Sequence, residues 1–98
     1  MVPKHHWTRE DDLAVLYVYR FGTENLGYKA QDVDVAQSRG IPIGSFKMRL
    51  ANFAAIDGKG GLKHYAKISI EVYDKHDKTP EKTLHRLAFP NHREGDLA

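Results

Sequence analysis

The sequence predicts an all-α fold: a compact bundle of four to five short helices containing a helix-turn-helix. Three observations lead there. Apolar residues recur at three- and four-residue spacing along much of the chain. Helix-start signals precede those segments at Thr8, at Pro42 and at Thr79-Pro80-Glu81. Gly22, Gly40 and the run "DGKGG" from residue 57 stand where helices should end. A winged helix with a small β element near residues 66–73 is the alternative, because one segment there also alternates like a strand.

The first helix lies in "WTREDDLAVLYVYRFG". Thr8 can cap it, Asp11 follows three positions later as in a capping box, and Glu10, Asp11 and Asp12 suit the positive end of a helix. The stretch from Leu13 to Phe21 is apolar enough to read as a buried strand, and the cap signals decide for helix. "GTENLGYKA" is a turn-rich connector. "AQDVDVAQSRG" offers a short second helix with Val33 and Ala36 inward and Val35 as a further candidate, ended by Gly40 in a left-handed conformation. Pro42 then opens a third helix, expected to run to about Ile56, since a missing N–H costs nothing in the first turn.

In "HYAKISIEVYDKH", Ala66, Ile68, Ile70 and Val72 alternate, but Tyr65, Ile68, Ser69, Val72 and Tyr73 form a helical stripe. A strand would need a partner, and no second convincing strand exists, so a helix is expected. The last helix starts at Thr79-Pro80-Glu81, turns Leu84, Leu87 and Ala88 inward, and stops at Pro90. Residues 1–90 should form a single domain and residues 91–98 a frayed tail.

Composition narrows the function. A chain of 98 residues buries a modest core and has little room for a cleft between lobes. With no cysteine, disulfides, thiolate metal sites and cysteine nucleophiles are excluded. No apolar stretch is long enough to span a membrane and "MVPKHHW" is too polar and short for a signal peptide, so a cytoplasmic location is expected. The six histidines are scattered without a ligand-pair spacing, and no nucleophile has an evident base. The expectation is therefore a non-enzyme with no cofactor and no metal.

Charge is unevenly placed. Residues 39–64 hold Arg39, Lys47, Arg49, Lys59 and Lys63 against Asp57 alone, a local excess of +4 in a chain whose net charge is +2. A basic region beside a near-neutral remainder suits phosphate recognition on one face, although a solvated face would look the same.

The basic region coincides with the third helix. Ala36 and Gly40 have the spacing of a helix-turn-helix crossing and turn, a pattern that any helical bundle can also produce by chance. In "IPIGSFKMRLANF", Phe46, Leu50 and Phe53 share a core side, with Ile43 and Ile56 at its margins. The other side holds Gly44, Ser45, Lys47, Met48, Ala51, Asn52 and Ala55, small and nearly uncharged where a solvent face would carry many charges.

Such a face could enter the major groove of double-stranded DNA. Asn52 could pair with adenine, Met48 or Ala51 could touch a thymine methyl, and Lys47 and Arg49 could flank on phosphate or guanine. Arg49 leans toward the core. Ser45 and Arg39 complete the helix and turn contacts, and Lys59, Lys63 and His64 in "DGKGGLKH" could clamp the DNA backbone. The competing expectation is a protein-interaction module, in which the same small-residue face docks a partner or a second copy in a homodimer.

"GIPIGSFKMRLANFAAID" followed by "GKGGLKHYAKISIEVYDKH" resembles a small helical module found ahead of HNH endonuclease domains in bacterial restriction-like proteins. Trp7, Leu13, Met48, Arg49, Leu50, Asn52, Phe53, Ala54, Asp57, Gly61, Leu62, Val72 and Tyr73 stand at its matching positions. The match runs from about Trp7 to His76 and lacks the nuclease domain, and Ile43 and Gly44 replace a more polar helix start. "WTREDDLAVLY" also resembles Myb-like modules. These resemblances imply DNA-related work without cleavage, as a transcription regulator or the recognition module of a defence system. They also imply that some of Arg49, Asn52 and Asp57 brace the fold.

Overall fold

The computed structural model describes residues 5–27, 30–59 and 66–90. Within them the chain forms α1 (Arg9–Phe21), a 3-10 turn (Glu24–Leu26), α2 (Asp32–Ser38), α3 (Ile43–Ile56), α4 (Lys67–His76) and α5 (Glu81–Ala88). The fold is all-helical, and no strand occurs among the described residues.

α1 is the central element. Its run Leu13, Ala14, Val15, Leu16, Tyr17 and Val18 is buried on every side because α3, α4 and α5 all pack against it. A helix that is apolar all round has to be enclosed in this way. Its start is the expected capping box: the Thr8 hydroxyl accepts from the Asp11 N–H, and the Asp11 carboxylate accepts from the Thr8 N–H. At the other end, Arg20 donates to the carbonyls of His76 and Thr79, fixing the α4–α5 link. Tyr17 donates to Glu81 on α5 at 2.9 Å.

α2 packs on α3 across the four residues Arg39 to Pro42. Gly40 has φ +68° and makes a Schellman ending. Its N–H donates to Gln37 O (3.1 Å), and the Ile41 N–H donates to Ala36 O (2.8 Å). Ile41 and Ala36 are both buried, supplying the apolar contact that accompanies this motif. α3 ends the same way at Gly58 (φ +79°), with Gly58 N–H to Ala55 O and Lys59 N–H to Ala54 O.

Several expectations need correction. Val33 is exposed and Val35 wholly buried, because the inner side of this seven-residue helix is centred between Val35 and Ala36. Leu87 is exposed; Leu84 and Ala88 set the inner side of α5, and Phe89 just beyond the helix fills the core there. Ala55 is buried, so it leaves the outward side of α3. The β alternative at 66–73 is replaced by α4. Ser69 and Val72 are buried one helical turn apart with Ile68 and Tyr73 beside them, while Lys67, Glu71, Asp74 and Lys75 face outward. Residues 91–98, expected to fray, lie outside the described residues. Among the described residues no helix is long and apolar enough to cross a membrane.

Candidate nucleic-acid interface

α3 carries the candidate surface, and its orientation is set by polar groups on its inner edge. Asp12, wholly excluded from solvent, is the centre of the first group. Arg49 holds it through two bonds, Nε to Oδ1 at 2.7 Å and Nη2 to Oδ2 at 3.2 Å, and Ser69 of α4 donates to Oδ1 at 3.2 Å. The Trp7 ring lies over the Arg49 guanidinium, 4.1 Å from its carbon to the ring centroid. One buried carboxylate thereby fastens the N-terminal segment, α1, α3 and α4 together.

Neighbouring Asp11 is held differently. His5 Nε2 lies 2.8 Å from Oδ2, Arg39 Nε donates to Oδ1 at 2.8 Å, and Arg39 also reaches Ala88 O. The two carboxylates shift in opposite directions. Burial raises Asp12 above the ordinary carboxylate range, and the Arg49 and Ser69 bonds do not fully offset it. At Asp11 burial also acts upward, but the bonds to His5, Arg39 and the Thr8 N–H outweigh it and hold the carboxyl low.

Asn52 sets the α3–α4 junction. Its Oδ1 accepts the Ala66 N–H at 2.9 Å just before α4, and its Nδ2 donates to Met48 O at 2.9 Å. Asp57 pins the far end of α3. It accepts from Tyr73 at 2.5 Å and from Tyr19 at 2.7 Å, with Lys59 Nζ 3.3 Å away. The bonds from Tyr73 and Tyr19, then Lys59, lower Asp57 to about 2. Burial and the facing carboxylate push Tyr19 up to about 12, and the same carboxylate and burial push Tyr73 to about 12.

Three expected contact residues are therefore corrected. Arg39, Arg49 and Asn52 are internal braces whose polar groups are already bonded to Asp11, Asp12 and the backbone. Asn52 is 7% exposed, too enclosed to reach a base edge. What remains outward on α3 is Ile43, Gly44, Lys47 and Met48, with Ala51 and Ser45 half-buried at the sides. Met48 is the most exposed large apolar residue described, at 58%. A shallow groove runs along one flank between His5, Trp7, Gly44, Ser45 and Met48, with Arg49 and Asn52 at its edge. Lys59 is exposed beyond the C-terminus of α3, leaning on Asp57. Lys63 and His64 lie outside the described residues.

The structure adds Lys67. It is exposed at the start of α4, and the bond from Ala66 N–H to Asn52 places that start beside α3. Nothing in the local sequence marks it, since only the fold brings residue 67 next to residue 52. Comparison of the chain with family models, curated proteins and solved structures finds no match.

Proposed function

We propose that the protein binds double-stranded DNA by laying the outward face of α3 in the major groove, with Lys47, Lys59 and Lys67 on flanking phosphates. The observation that carries this is the character of α3. None of its fourteen residues is acidic, and its exposed positions are Ile43, Gly44, Lys47 and Met48, apolar or small with one basic residue among them. A DNA groove, walled by phosphates, favours a surface free of carboxylates and flat enough for close approach. No side chain caps the start of α3, so first-turn N–H groups can serve a phosphate. The α2–turn–α3 unit with its Schellman glycine is consistent with a helix-turn-helix. A small regulator of transcription, or the recognition element of a defence system, is the role that fits.

A second reading has its own support. Val33, Ile43 and Met48, on α2 and α3, are three of the four large apolar side chains most exposed among the described residues. A partner protein or a second copy could cover them.

Fluorescence anisotropy with a labelled randomised duplex separates the two. DNA binding through several phosphates should weaken steeply between low and moderate salt, whereas docking on an apolar face should not. Lys47→Ala, Lys59→Ala and Lys67→Ala should each lower DNA affinity and flatten the salt slope while leaving the circular dichroism spectrum unchanged. Absence of duplex binding at low salt would refute the DNA proposal, and a concentration-dependent dimer by sedimentation would then favour the second.

A further inference from the structure

We infer that α3 reads DNA through the 5-methyl groups of pyrimidines, thymine above all, and not through hydrogen bonds to base edges. The inference rests on the DNA-binding proposal and specifies what the bound surface discriminates.

Major-groove readout normally relies on side chains with paired donors and acceptors, such as Arg on guanine or Asn on adenine. α3 has one of each, and the fold has withdrawn both. Arg49 spends its Nε and Nη2 on Asp12 and its face on Trp7. Asn52 spends its oxygen on the Ala66 N–H and its nitrogen on Met48 O. Freeing Arg49 would leave the buried Asp12 carboxylate with the Ser69 hydroxyl alone, and freeing Asn52 would take the side-chain acceptor from the part-buried Ala66 N–H.

At about 100° per residue, Gly44, Met48 and Ala51 occupy the middle of the outward arc, with Lys47 toward the α2 side and Ser45 toward the Trp7 groove. The middle of the arc therefore holds a hydrogen, a thioether chain and a methyl, with no hydrogen-bond donor and only the weakly accepting sulfur to offer a base edge. Met48 rises from it at 58% exposure between two residues too small to shield it. On the major-groove edge of a base pair, the feature such a group can distinguish is the C5-methyl of thymine or 5-methylcytosine. Exposed Lys47, Lys59 and Lys67 near the arc and the absence of carboxylates on α3 itself make DNA the occupant that matches its charge, with Asp32 of α2 lining the flank beyond Lys47, outside the arc.

The experiment uses the full chain. Duplexes are selected from a randomised pool, and the bound sequences are resynthesised with deoxyuridine for thymidine, which removes only the methyl. Selected duplexes should be rich in thymine, and the uracil forms should bind more weakly, roughly two- to fourfold for each methyl buried. Adding a methyl as 5-methylcytosine at cytosines within the selected site should strengthen binding. Met48→Ala, an exposed change that leaves the core intact, should weaken binding of thymine duplexes to the level of their uracil forms and so lose the thymine-to-uracil difference. Equal binding of the thymine and uracil forms overturns the inference while leaving DNA binding intact. An unchanged difference in Met48→Ala overturns it also, since the preference then comes from duplex shape. If no duplex is retained at all, the DNA-binding proposal fails and this inference fails with it.

Discussion

Replacing Arg49 with alanine tests whether that residue belongs to the fold or to the surface. Asp12 has no solvent exposure, and Arg49 supplies two of its three side-chain bonds. Without Arg49 only the Ser69 hydroxyl remains, and breaking such a buried pair by removing one partner costs about 3–5 kcal/mol. A domain of this size has roughly 5–15 kcal/mol in all, at ~0.05–0.15 kcal/mol per residue. Arg49→Ala should therefore remove between a fifth and all of the stability and lower the melting temperature by roughly 4–8 °C for each kcal/mol lost. Urea unfolding followed by tryptophan fluorescence is the assay, because Trp7 is the sole tryptophan and stacks on Arg49 itself. The pH dependence has a definite sign. With its folded pKa raised above 3.8, ionised Asp12 costs stability above that folded pKa, and the cost fades as pH falls toward 3.8. The deficit of Arg49→Ala should be largest at neutral pH and shrink in mild acid. Pairing it with Asp12→Asn should recover much of the loss. If Arg49→Ala unfolds within about 1 kcal/mol of the parent and loses only DNA affinity, the buried pair is not structural and Arg49 returns to the contact surface.

Asn52→Ala removes the acceptor for the Ala66 N–H and should cost about 1–3 kcal/mol in thermal unfolding, with faster amide exchange at Ala66. Gly40→Ala meets no atom within 4 Å but forces a left-handed φ of +68° on a side chain, so a loss of about 1–2 kcal/mol by urea titration is expected from conformation alone. Tyr19 and Tyr73 should ionise near 12, seen as late steps in the 295 nm absorbance titration, and Asp57→Asn should move both toward 10. Their raised pKa values make the contribution of this cluster whole below pH 10 and lost between 10 and 12. The lowered Asp57 makes it whole above about pH 4 and lost as pH falls toward 2.

Local signals carried most of the fold. Thr8 with Asp11, Gly40 with Ala36, and Pro42 and Pro80 mark element ends whose chemistry is complete within a few residues, so they can be read along the chain. The side of α3 formed by Phe46, Leu50 and Phe53 follows from helical periodicity in the same way. What could not be read was the use of polar side chains that find partners far away. Arg49 and Asp12 are 37 residues apart, and Ala66 is 14 from Asn52. Isolated on a helical wheel, Asn52 falls on the outward side and looks available to a ligand, whereas Arg49 already leans toward the core without showing which carboxylate it meets. The errors at Val33 and Leu87 have a different cause. In helices of seven and eight residues, two buried positions fix the inner side, and a third apolar residue 80–110° away in the ~100° stepping is left outside.

The polar braces and the outward surface are two consequences of one arrangement. α3 is fixed in the middle by Trp7 and Asp12 through Arg49, a turn further on by Asn52 to α4, and at its C-terminus by Asp57 to Tyr19 and Tyr73. A helix held at three levels by groups in three other segments presents Gly44, Met48 and Ala51 at a set angle and loses little freedom on docking, which lowers the entropic cost of association. The same bonds consume the side chains best able to distinguish bases by hydrogen bonding. Rigidity of the α3 face and poverty of its polar readout are thus coupled. In the proposed DNA complex, a variant that freed Arg49 or Asn52 to read bases would also loosen the helix that would carry them into the groove.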